Sequence, residues 1–96
     1  MSIIRRNRLT IIADILGALQ SKELRFTHLL YKSNLSHAKL NEYLKELIAQ
    51  HFVEEFETDK GKRFRITDAG IRFYYECQRI NEFVNTPAPN FGRAAG

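Results

Sequence analysis

A chain of 96 residues has room for one small domain and none for a separate catalytic unit. Its hydrophobic fraction of 44% excludes a disordered chain, and its single cysteine excludes an internal disulfide framework and suits a reducing, intracellular setting. Lys and Arg total 15 against 11 for Asp and Glu, so the net charge is +4 and the pI near 9.5, a balance that suits a polyanionic partner without proving one.

The chain opens on Arg5, Arg6 and Arg8 with no apolar run behind them. Asp14 and Gly17 interrupt the next segment, and no stretch reaches membrane-spanning length, so a soluble protein is expected. Leu9, Ile12, Ile15, Leu16 and Leu19 recur at helical spacing and predict a first helix with one buried stripe. Gln20 to Glu23 is polar and ends it, and Leu24-Arg25-Phe26 suits a brief paired strand. Thr27 is the expected cap of a short second helix carrying Leu29, Leu30 and Tyr31, and Ser33-Asn34 marks a turn. Ser36 is a good N-cap for the clearest helix, whose stripe is Leu40, Tyr43, Leu44, Leu47 and Ile48. Gln50-His51 ends it, with His51 expected in the left-handed conformation.

The period then changes to two. Phe52 to Thr58 and Arg63 to Ile66 read as strands joined by a tight turn at Asp59-Lys60-Gly61-Lys62, where Gly61 can take positive φ. Thr67 caps a last helix, with Asp68 in its first turn, that runs to about Val84 before Pro87 and Pro89 stop it. Helix, short strand, helix, turn, helix, hairpin, helix is the order of an α+β winged helix-turn-helix, a three-helix core plus a β-hairpin wing, followed here by a C-terminal dimerisation helix. The expected organisation is a basic N-terminal arm at 1–8, the winged domain at 9–66, the C-terminal helix at 67–85, and a tail at 86–96 without fixed structure.

Tyr31-Lys32-Ser33-Asn34-Leu35-Ser36, Tyr43-Leu44-Lys45-Glu46-Leu47 and Phe64-Arg65-Ile66-Thr67-Asp68-Ala69-Gly70 together carry a resemblance. Over roughly Arg8 to Ile80 the chain resembles the small archaeal winged-helix proteins of the chromatin-associated ten-kilodalton type. That resemblance implies duplex DNA binding and a dimer formed by an antiparallel coiled coil of the last helices. The chain departs from the family pattern at His51, where a glycine is usual, and in a last helix cut short by Pro87.

Read on their own residues, three basic groups suit DNA. Helix 36–50 is the candidate recognition element, with Ala38, Lys39, Glu42, Lys45 and Glu46 facing outward. Ser36 suits a phosphate, His37 and Asn41 suit base edges, and Ala38 suits a thymine methyl. Glu42 either accepts from cytosine N4 or keeps the helix out of the groove. The wing carries Lys60, Lys62, Arg63 and Arg65, with Lys60 and Lys62 expected on DNA and Arg65 paired with the acidic partner strand. Arg5, Arg6 and Arg8 suit a flexible arm to a phosphate or minor groove. Each group also suits an ordinary solvated face. Phe73, Cys77, Ile80 and Val84 form a seam about two heptads long, read as a homodimer contact, with packing onto the first helix as the alternative.

His28, His37 and His51 stand on separate elements, and there is no phosphate-binding loop, so no catalytic or metal site and no cofactor is expected. The sequence reading is a non-enzymatic, cytoplasmic, nucleoid-associated protein that binds double-stranded DNA as a homodimer. Regulator and sequence-tolerant chromatin protein both stay open, as does a winged-helix protein-interaction module.

Overall fold

The structure is a computed structural model that describes residues 7–85; Arg5, Arg6 and the 86–96 tail lie outside the described residues. Its elements are α1 (Arg8–Ala18), α2 (Phe26–Ser33), α3 (His37–Ala49), β1 (Val53–Thr58), β2 (Gly61–Ile66) and α4 (Asp68–Asn85). This is the winged-helix fold.

Each boundary has a local cause. Asn7 caps α1, its side-chain oxygen accepting from the Thr10 N–H at 2.8 Å. The second helix starts one residue before the expected Thr27 cap. Arg25 is the capping residue and makes no side-chain cap bond, so Thr27 sits inside the first turn. What fixes that start is pairing rather than capping. Leu24 exchanges both backbone hydrogen bonds with Phe64 of β2, at 3.0 and 2.8 Å, which holds the chain extended until Arg25. Asn34 ends α2 in the left-handed conformation, φ 56°, which asparagine tolerates.

Ser36 caps α3 by accepting from the Lys39 N–H at 3.1 Å. At its other end His51 takes φ 67°. The Phe52 N–H then reaches back to the Leu47 carbonyl and the His51 N–H to that of Ile48, both at 2.9 Å, the pair of bonds that closes a Schellman motif. The hairpin is antiparallel with Val53 opposite Ile66 and Thr58 opposite Gly61, and Gly61 supplies the positive φ (111°) that lets Asp59-Lys60 turn so tightly.

The core lies where α1 crosses the other helices. Ile12, Ile15, Leu16 and Leu19 of α1 meet Leu29, Leu40, Leu44 and Leu47 from the helix-turn-helix, with Val53 and Phe64 closing it from the hairpin and Cys77 from α4. Each such aliphatic side chain contributes about 1.5–3 kcal/mol on burial, so this cluster dominates the fold's stability.

The wing, α3 and α4 meet at one crowded junction. Thr67 Oγ1 donates to the His51 carbonyl at 2.7 Å and accepts from the Gly70 N–H at 3.0 Å, while the Thr67 N–H donates to the Phe52 carbonyl at 3.0 Å. A Cβ on Gly70 would lie 2.1 Å from that same Phe52 carbonyl oxygen and 2.7 Å from Ile66 Cγ1. Gly70→Ala is therefore expected to cost about 2 kcal/mol or more, and to lower the melting temperature by roughly 10 °C at the ~4–8 °C per kcal/mol usual for a domain this size. A circular-dichroism melt checks it; an unchanged midpoint would contradict the contact.

Cys77 is fully buried. Burial pushes its thiol above the ordinary range, and the neighbouring Glu76 carboxylate adds to the shift. At neutral pH the folded protein should react with an aromatic disulfide reagent far more slowly than the chain in guanidinium, and rapid labelling of the native state would show the packing to be wrong.

Candidate nucleic-acid interface

The turn between α2 and α3 brings the starts of both helices together. The His37 ring, first residue of α3, packs on the Phe26 ring, first residue of α2, with centroids 4.6 Å apart and planes tilted by 46°. That contact holds an exposed imidazole at the N-terminal end of α3, beside Ser36. Ser36 Oγ spends an acceptor lone pair on its cap and keeps its proton to donate.

From there α3 shows Ala38, Lys39, Asn41, Glu42, Lys45 and Glu46 to solvent. The helix has two flanks. Toward the hairpin, His37, Asn41 and Lys45 line a groove whose far wall includes Glu55 and Lys62. Toward α1, Lys39, Glu42, Tyr43 and Glu46 line a second groove with Arg8, and Lys45 borders both grooves.

Charge is partitioned between those flanks. Arg8 forms an ion pair with Glu46 and lies 5.6 Å from the Tyr43 ring centroid; its hydrogen bond to Glu46 and that carboxylate's charge raise the guanidinium further above its ordinary value. Lys39 reaches Glu42 at 3.6 Å. Both carboxylates of α3 thus have cations beside them, and Lys45 has no ion pair among the described residues. On the wing, Lys62 pairs with Glu55 at 3.0 Å, and this hydrogen bond, then the charges of Glu55 and Glu57, raise its ammonium. Arg65 bonds Glu54 at 2.8 Å. Arg63 is half-buried, and its Nε is buried with no hydrogen-bond partner among the described residues. Lys60 stands exposed at the tip without an ion pair among the described residues; its backbone N–H donates to Thr58 Oγ1 at 3.1 Å, and that hydroxyl donates to the Gly61 carbonyl at 2.8 Å.

The structure therefore gathers Ser36, His37, Ala38, Asn41 and Lys45 on the exposed side of α3, with Lys60, Lys62 and Arg63 on the adjoining hairpin. Arg8 sits on the opposite flank, tied to Glu46. The proposed seam divides. Phe73 stacks on Phe52 at 4.4 Å with planes 7° apart, and Cys77 is in the core, so both are occupied within the chain. Ile80 is exposed, and the side chain of Val84 lies outside the described ones. Sequence reasoning missed Phe26 as the support of His37, Tyr43 as the ring beside Arg8, and the exposure of Tyr31, which is 87%. Helical spacing places Tyr31 opposite the buried pair Leu29 and Ser33, and that signal was available.

Among the described residues no group of His, Cys, Asp and Glu side chains is placed to hold a metal ion, and no helix is long and apolar enough to cross a membrane.

A helix-turn-helix whose second helix is followed at once by a two-stranded hairpin defines the winged-helix class of domain. The winged helix-turn-helix family model matches residues 5–85, and the chain belongs to that family. No curated protein matches it in sequence. Among solved structures it is similar to Sso10a-2, a DNA-binding protein from Sulfolobus solfataricus, with a TM-score of 0.79 and 18% identity over 94% of this chain and 90% of that one. It is also similar to F93 from STIV, a winged-helix DNA-binding protein (TM-score 0.71, 20% identity, 92% of this chain and 100% of that one). A third likeness is to the transcriptional regulator BldR from Sulfolobus solfataricus (TM-score 0.69, 14% identity, 88% of this chain and 66% of that one). At these identities the likeness is one of fold.

Proposed function

We propose that this protein binds double-stranded DNA and acts as a transcriptional regulator rather than an enzyme, with the 36–50 helix in the major groove and the 59–63 wing on the backbone or in the minor groove. The observation that carries the reading is the exposed surface of α3. It presents His37, Asn41 and Lys45 toward the hairpin, with Ala38 exposed near the N-terminal end. Imidazole and carboxamide groups hydrogen-bond base edges, and a lysine ammonium suits guanine O6 and N7. Ser36, Lys39, Lys60 and Arg63 then anchor the backbone, and Arg5, Arg6 and Arg8 add contacts from the N-terminal side. Glu42 disfavours deep insertion except where a cytosine amino group faces it. The DNA-binding proteins Sso10a-2 and F93 and the regulator BldR, which share the fold, support this assignment. A cytoplasmic, nucleoid-associated location follows from it.

The protein acts as a homodimer through α4. Tyr75, Ile80 and Phe83 are each about half exposed or more on this helix, a run of apolar surface that a second copy would cover. Two recognition helices would then reach half-sites about 34 Å apart if the two-fold geometry allows it.

Duplex binding at several salt concentrations tests the reading. The logarithm of affinity should fall with that of salt at a slope of about −0.9 for each phosphate neutralised. Selection from a random pool should enrich one sequence; equal binding to all duplexes would replace the regulator with a sequence-tolerant chromatin-type binder. No binding even at low salt, and none from the pool, would leave the fold as a protein-interaction module. Sedimentation at micromolar concentration should give twice the chain mass of 11.2 kDa, and a monomer would remove the α4 dimer.

A further inference from the structure

The cations of the wing are sorted by strand alternation onto two faces. Residues opposite one another in the register share a face, so Val53, Glu55, Glu57, Lys62, Phe64 and Ile66 lie on the inner side, where Val53 and Phe64 enter the core. Glu54, Phe56, Arg63 and Arg65 lie on the outer side. The inner face has two carboxylates for one ammonium, and that ammonium is already held by Glu55. The outer face has two guanidinium groups for one carboxylate. A polyanion approaching the hairpin is repelled on one side and attracted on the other.

Phe56 distinguishes the outer face further. It is a half-buried aromatic that lies outside the hydrophobic core cluster. Its packing partner is Arg65, whose guanidinium carbon sits 4.5 Å from the ring centroid. Arg65 Nε is tied to Glu54, which fixes the fork while its terminal amino groups make no hydrogen bond among the described residues. Arg63, directly across the ribbon from Phe56, has among the described residues neither an ion pair nor a partner for its buried Nε. The result is an aromatic ring with the Arg65 guanidinium over it and Arg63 opposite it in the register, both arginines keeping donors that no described residue takes up.

Resting on the DNA-binding reading, we infer that this outer face, Arg63 and Arg65 about Phe56, is the wing's contact with the sugar-phosphate backbone bordering the minor groove, and that Lys62 on the inner face is a structural partner of Glu55. Planar forks match phosphate oxygens in pairs, and the ring offers an apolar surface to a deoxyribose. Arg65, which the sequence assigns to an ion pair alone, gains a binding role, and Lys62 loses one.

The test measures duplex affinity against salt for the wild type, the R63Q/R65Q double variant and K62Q. The double variant should lose about 1.8 units of slope per bound protomer, ~0.9 per phosphate, and R65K should keep its share because the charge remains; K62Q should keep the wild-type slope. A double variant with the wild-type slope, or a K62Q that loses slope alone, overturns the inference while leaving DNA binding intact. A wild type that binds no duplex overturns both readings at once. Thermal melts establish that the variants fold; if the double variant does not, R63Q alone carries the test, since Arg63 has no ion pair to lose among the described residues.

Discussion

Everything beyond the first three helices depends on how closely two backbones approach at Phe52 and Gly70. The Phe52 carbonyl accepts from the Thr67 N–H and occupies the space that a side chain on Gly70 would need. The root of the hairpin and the first turn of α4 are therefore locked to the turn that closes α3. His51, just before Phe52, is held left-handed by the same requirement, since the chain must reverse within one residue to begin β1. Thr67 completes the joint by bonding at both ends, to the His51 carbonyl and to the Gly70 N–H. One crowded corner sets the angle of the wing to α3 and the direction in which α4 leaves.

The exposed surface built on that corner is nearly neutral, and its charge is organised by pairing. Glu46 and Glu42 on α3 have Arg8 and Lys39 beside them, so the acidic residues of the helix are offset on the α1 side. On the hairpin side Lys45 stands without an ion pair among the described residues. A net charge of only +4 is thus compatible with a cationic strip, because the carboxylates have been given partners away from it.

Much of the fold was legible because its periodicities are clean. The stripe from Leu40 to Ile48 and the alternation of Phe64 and Ile66 with arginines each fit a single backbone geometry. Local caps were legible for the same reason at Ser36 and Thr67. The start of α2 was not, because its cause, the pairing of Leu24 with Phe64, joins residues far apart in the chain. The ion pair of Arg8 with Glu46 is equally invisible to spacing. The seam on α4 shows a different limit. Phe73 and Cys77 recur at heptad spacing, but over so short a length the pattern is the same whether a helix packs on its own domain or on another, and here Phe52 and the core take both residues. The candidate site was legible in residue type and element; which face of the wing each cation occupies needed the register.

The paired backbone of Leu24 and Phe64 makes the hairpin a cantilever. Phe64 is clamped by Leu24 through both of its backbone groups, and its ring is buried in the core, so the ribbon is built in at that level. The segment from Phe56 to Arg63 overhangs that anchor. Ordering backbone costs about 1–2 kcal/mol per residue, so the anchor limits the entropy lost when the wing takes up a partner. A load applied at Lys60 is carried through Phe64 to the start of α2, and from there through the Phe26 ring to His37 at the head of α3.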